Sequence, residues 1–153
     1  MQRFLVLVCA TPLVLAACGG DEARPADVAE LAIHTSDDVV RLEVEVADEP
    51  DERSTGLMGR ERLDPYDGMA FVWDEPVRSS FWMKDTLIPL SIAFWDRGGA
   101  IVAILDMEPC AADPCPTYDP GVAFVGALEV ASGRLEDEGV DVGDRVELDV
   151  PTP

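Results

Sequence analysis

The stretch RSSFWMKDTLIPLSIAFWDRGGAIVAILDM (residues 78–107) decides the fold class. It holds short blocks of apolar, β-branched and aromatic residues, and these read as strands. Asp96-Arg97-Gly98-Gly99 interrupts the blocks as a hairpin turn, and residues 100–107 return from it. Pro89 cannot donate to a ladder, so it marks a bend or an edge, and 78–95 is two strands or one long broken one.

The same signal continues on both sides. Toward the N-terminus, MAFVW (69–73) is a strand, and Val40, Leu42, Val44 and Val46 alternate with Arg41, Glu43 and Glu45 as a half-buried strand. Between these two, Asp48-Glu49-Pro50-Asp51-Glu52 offers an N-cap, a proline at the first helical position and acids in the first turn. A short helix is expected over about 50–58, stopping near Gly59. Toward the C-terminus come a loop to about 120, a strand at 122–130, a short helical segment within 131–139 and a closing strand at 144–150. About seven strands and one or two short helices make a mostly β domain, a β-sandwich or barrel-like.

Charge and composition narrow the function. The 153 residues carry 11 bases and 31 acids, a formal charge of −20. A polyanion needs a clustered basic footprint, so no nucleic acid is expected as a partner. With 48% hydrophobic residues the chain can build a core. Residues 1–17 open on Arg3, continue through an apolar run and end Leu15-Ala16-Ala17, ahead of Cys18. This is a secretory signal, too short for a confident membrane span, and its end resembles the bacterial lipoprotein signal, in which the chain is cut before a cysteine that then carries lipid. An ordinary signal cut after Ala-x-Ala is the alternative. The expected organisation is a lipoprotein signal peptide at 1–17, a lipidated Cys18 with a flexible tether to 38, and a single β-rich domain at 39–153. The protein is then exported and anchored through Cys18 on the extracytoplasmic face of a membrane.

Cysteine usage fits that compartment. Cys9 leaves with the signal, which leaves Cys110 and Cys115 in PCAADPCP. In an oxidising compartment two such thiols pair, and so small a loop gains about 2 kcal/mol from the bridge. A redox pair, a metal site and free thiols are the alternatives. The spacing is not C-x-x-C, and His34 is the chain's one histidine.

Residues 53–84 hold five bases and five acids, and the neighbouring 66–95 holds all three tryptophans. A neutral, arginine- and aromatic-rich zone on an acidic protein marks a binding surface, unless it is simply core. Within it, an extended 79–86 puts Trp82, Lys84 and Thr86 on one face and Phe81, Met83 and Asp85 on the other. Lys84 beside an indole could recognise an anion or a sugar-like ligand, or could lay its stem on Trp82 and pair with an acid. The standard catalytic devices are missing. With no histidine in the domain a Ser-His-Asp or Cys-His arrangement is impossible, and there is no phosphate loop or G-x-G-x-x-G. No cofactor and no metal are expected.

Several motifs together resemble one family. Arg53-x-x-Gly56-Leu57-Met58-x-Arg60, Gly68-Met69-x-Phe71, Phe81-Trp82-Met83-Lys84-x-Thr86 and Leu128-Glu129-Val130, with Cys115-Pro116-x-Tyr118-x-Pro120, are similar to the bacterial and archaeal family called domain of unknown function 192. The resemblance spans about 40–150. It implies a compact, mostly β domain, usually exported or membrane-tethered, with no established activity. Family members commonly carry Asn where this chain has Asp85, and Asp where it has Ser91. The expected function is a non-catalytic envelope module for a small polar or glycan-like ligand or a partner protein. Its ligand-binding candidates are Arg53, Arg60, Trp82, Lys84, Asp85 and Tyr118. A structural or assembly factor of the envelope, or a carboxylate-based hydrolase using Lys84 or Arg60 to stabilise charge, are the alternatives.

Overall fold

The alternation at 40–46 becomes a strand whose Val40, Leu42, Val44 and Val46 are all buried. In the computed structural model, which describes residues 27–149, the elements run β1 (Asp27–His34), β2 (Val39–Ala47), α1 (Pro50–Thr55), β3 (Gly68–Val77), β4 (Phe81–Trp82), β5 (Leu90–Trp95), β6 (Ile101–Met107), β7 (Thr117–Tyr118), β8 (Phe124–Ala131), α2 (Arg134–Asp137) and β9 (Arg145–Asp149). Seven strands form one sheet in the order β6-β5-β8-β3-β2-β1-β9, and β4 pairs with β7 beside it. The mostly β class with two short helices is as expected, and the barrel does not close.

Neighbouring strands are antiparallel except β2 and β3, which run parallel with Val44 opposite Gly68 and Ala47 opposite Phe71. A parallel pair needs a crossover, and here residues 48–67, with α1, supply it. The sheet curls until the start of β6 meets the start of β9, with no ladder between these two edge strands. Ala100 bridges Arg145, the Val146 N–H donates to the Gly99 carbonyl (2.8 Å), and the Ile101 N–H donates to the Asp144 carbonyl (2.8 Å). One apolar cluster, including Leu31, Leu42, Ala70, Ala93, Ile101, Leu128 and Val146, draws on all seven strands and lies inside the curl. A second lies on the outer face, where Met69, Phe71, Ile92, Phe94 and Phe124 are covered by Leu57 and Met83 from the crossover and the segment after β4. Edge-to-face rings tie it together, with Phe94 on Phe124 at 4.9 Å and Phe81 on Phe71 at 5.1 Å.

Three expectations are corrected. The tether does not extend to residue 38. Residues 27–34 are β1, paired with β2 on one side and β9 on the other, with Ala29, Leu31 and Ile33 buried. The small and polar residues around them hid a period of two. Residues 1–26, with the signal and Cys18, lie outside the described residues. The helix α1 ends at Thr55, because Gly56 takes a positive φ of 47° and its N–H closes on the Glu52 carbonyl (2.8 Å). Its start is as read, with the Glu52 carboxylate accepting from the Glu49 N–H (3.2 Å). Finally, the loop before β8 carries an additional two-residue strand, β7. The hairpin turn at 96–99 is present, with the Asp96 side chain accepting from the Gly98 (2.8 Å) and Ala100 (3.0 Å) N–H groups.

Gly126 in β8 faces Trp95 in β5, and a Cβ built on it would lie 2.1 Å from the indole. Gly126→Ala must therefore push the ring out of the inner cluster. A loss of about 1–3 kcal/mol is expected, read as a lower midpoint in urea denaturation.

Candidate functional site

The crossover and the segment around β4 leave a narrow groove of about 30 Å³ on the outer face of the sheet. Arg53, Thr55 and Met58 form one wall, Phe81, Trp82 and Thr86 the other, and Phe71 and Glu129 the floor. The register explains why an acid lies there. Glu45, Met69, Glu129 and Ile92 are cross-strand neighbours, so their side chains share the outer face. Glu45 and Glu129 thus flank Met69, two ladders apart, or about 10 Å.

The two acids have different surroundings. Glu45 is 8% exposed and bonded to the Arg60 guanidinium at 2.8 Å. Glu129 is 4% exposed, and among the described residues no donor or cation reaches its carboxyl. Burial disfavours the charged form and pushes its pKa up to about 8, so at neutral pH this carboxyl keeps its proton. Leu128-Glu129-Val130 was legible as a family motif but not as a site. A buried, unpartnered acid shows in sequence only as one charge inside an apolar strand.

The six candidate residues do not converge on one point. Trp82 stands 49% exposed at the rim of the groove. Arg53 lines the groove, but its guanidinium lies over Trp73 (5.2 Å) and donates to the Asp48 and Val72 carbonyls, the latter at 2.9 Å. Lys84 takes the second of its two alternatives, with Nζ 5.8 Å from the Trp82 ring and 2.8 Å from the Asp113 carboxylate. That hydrogen bond and charge hold the Lys84 ammonium above its ordinary 10.5. Arg60 is taken up by Glu45. The Tyr118 hydroxyl accepts from the Glu108 N–H at 3.0 Å, anchoring the loop behind β4.

Asp85 is a backbone link. Its N–H donates to the Cys110 carbonyl (2.9 Å), and its carbonyl accepts from the Gly59 N–H (2.8 Å). It sits at φ 55°, the left-handed region that Asp and Asn tolerate best among residues with a side chain. This break in the extended conformation corrects the expected facing at its end. Trp82 and Lys84 point out and Phe81 and Met83 pack inward as read, but Asp85 is exposed and Thr86, 4% exposed, turns in. Cys110 and Cys115 form the disulfide, with Cα atoms 5.8 Å apart. Among the described residues no three His, Cys, Asp or Glu side chains are grouped to hold a metal ion.

Glu129 also sets a pH dependence. Its folded pKa, about 8, lies above the ordinary 4.5, so between those values the native state keeps a proton that the unfolded chain releases. Its contribution therefore turns against folding as pH rises from about 4.5 and levels off above about 8. Glu129→Gln removes this penalty. The variant should gain on the parent by up to about 1.4 kcal/mol per pH unit across that window, with no gain at pH 4, in paired urea titrations.

Two solved structures are similar to this chain. One, from Sinorhizobium meliloti 1021 and provisionally named a transcription regulator, is 29% identical with a TM-score of 0.75, over 82% of this chain and 96% of that one. The other, a protein of unknown function from Novosphingobium aromaticivorans DSM 12444, is 25% identical with a TM-score of 0.72, over 90% of this chain and 93% of that one. No curated protein matches. The family profile described as "Uncharacterized ACR" matches residues 32–148, and the chain belongs to that family, domain of unknown function 192.

Proposed function

We propose that this chain is a non-catalytic binding module, exported and lipid-anchored at Cys18, that holds a small polar ligand in the groove between α1 and the 81–86 segment. The observation that carries the reading is Glu129, a carboxyl buried at the floor of a groove with no protein partner among the described residues. A carboxyl that opens to a groove without a protein partner is free to take a ligand that donates to it or pairs with it. A volume of about 30 Å³ suits a small polar head group better than a whole sugar ring. Trp82, exposed at the rim, offers the flat apolar surface that covers the rest of such a ligand.

The raised pKa of Glu129 is also the observation that favours a carboxylate-based hydrolase, because a protonated acid can serve as a general acid. That chemistry needs a second carboxylate, and Glu129 is the one acid lining the groove. The regulatory name of the Sinorhizobium relative is not extended to this chain, whose charge of −20 opposes a nucleic-acid partner.

Native mass spectrometry of residues 19–153, purified from an exporting host, tests the reading. The parent should carry a small adduct that Trp82→Ala and Glu129→Gln lose. An adduct that both variants retain places the ligand elsewhere and overturns the reading.

A further inference from the structure

We propose, resting on the groove reading above, that the floor of the groove is a site for a protonated primary amine, with the Glu129 carboxylate as counter-ion and the rings of Phe71, Phe81 and Trp82 beside it. Four observations carry this. The Glu129 carboxyl faces the groove and, among the described residues, has neither a donor nor a cation. Phe71, Phe81 and Trp82 line the same groove, and an aromatic ring can attract an alkylammonium at its face. The volume of about 30 Å³ matches an ammonium or methylammonium head better than a bulkier quaternary one. The chain as a whole is strongly anionic, which concentrates cations at its surface.

Of the three cations around the groove, Arg60 and Lys84 are already paired with acids, and Arg53 is turned toward backbone carbonyls and Trp73. On the crossover, Arg53 spends its NH1 protons on the Asp48 and Val72 carbonyls and lies over Trp73, four residues along β3 from Met69, the partner of Glu129. Arg60 is paired with Glu45, and Lys84 with Asp113, while Asp85 is exposed. An anion at the floor would thus lie beside a buried carboxyl with which no cation of the chain is paired. An ammonium resolves the same position: it donates to Glu129 and replaces the proton that burial now retains. The exchange balances, since the neutral acid plus an alkylammonium gives the carboxylate–ammonium pair plus one proton released to water. The larger cavity beside Ser91 offers no comparable opening, because the Ser91 hydroxyl donates to Asp106 (2.6 Å) and accepts from the Gly133 N–H (3.0 Å).

The test uses residues 19–153 with ¹³C-labelled glutamate side chains, titrated with methylammonium chloride at 0.15 M salt and followed by NMR. At pH 6.5 the Glu129 carboxyl carbon should move to its ionised position as one site saturates. Apparent affinity should rise about tenfold per pH unit from pH 6 to 7, because binding releases one proton while the free acid is protonated. Tetramethylammonium should leave the signal in place. Glu129→Gln should abolish the saturable site. Trp82→Ala, a change at an exposed position, should weaken it several-fold while the spectrum stays folded. The proposal is overturned if methylammonium leaves Glu129 protonated, if affinity does not change with pH, or if Glu129→Gln binds as well as the parent. If the amine fails while the native adduct still depends on Glu129, the groove reading stands and the amine alone is wrong. If both fail, the two fall together.

Discussion

The parallel pairing of β2 with β3 is the constraint from which the outer face follows. Two neighbouring strands that run the same way cannot be joined by a tight turn, so the chain must climb over the sheet between Ala47 and Gly68. That climb carries α1, Leu57 and Arg60 onto a face that would otherwise be open. Leu57 closes the outer apolar cluster, Arg60 neutralises Glu45, and the turns after Gly56 wall off Glu129.

The opposite wall hangs on fewer interactions. Phe81 and Met83 pin the 81–86 segment into the outer cluster, while Asp85 ties it by backbone bonds to the crossover at Gly59 and to the disulfide loop at Cys110. The left-handed conformation of Asp85 lets a single residue face both neighbours. Asn tolerates that conformation as well as Asp does, so Asp85→Asn would keep both backbone links.

What the sequence disclosed divides along the same line. Strands with a clean period, such as Val40 to Val46, and a turn with its own side-chain chemistry, Asp96 to Gly99, were legible because local rules govern them. The strand at Asp27–His34 was not, because Val28 and Ala32 on its outward face blur the alternation and one of its partners, β9, lies at the far end of the domain. Trp82, Lys84 and Arg53 stood out by residue type. How they are used depended on contacts that no spacing records: Asp113 for Lys84, Glu45 for Arg60, and the Asp48 and Val72 carbonyls for Arg53. Glu129 differs from Glu45 in sequence by nothing that reveals which of the two has a cation.

That difference gives the two glutamates unequal standing under selection. Glu45 is held by its partner, since removing either member of the Glu45–Arg60 pair strands the other. Glu129 has no such hold, and a neutral residue of its shape would serve the fold better at neutral pH. A library of this chain selected for thermal endurance alone should shed Glu129 early and keep Glu45. One selected for what the protein does in its cell should keep both. The frequency of glutamate at position 129 under the two regimes then separates what the fold needs from what the activity needs, before the ligand itself is known.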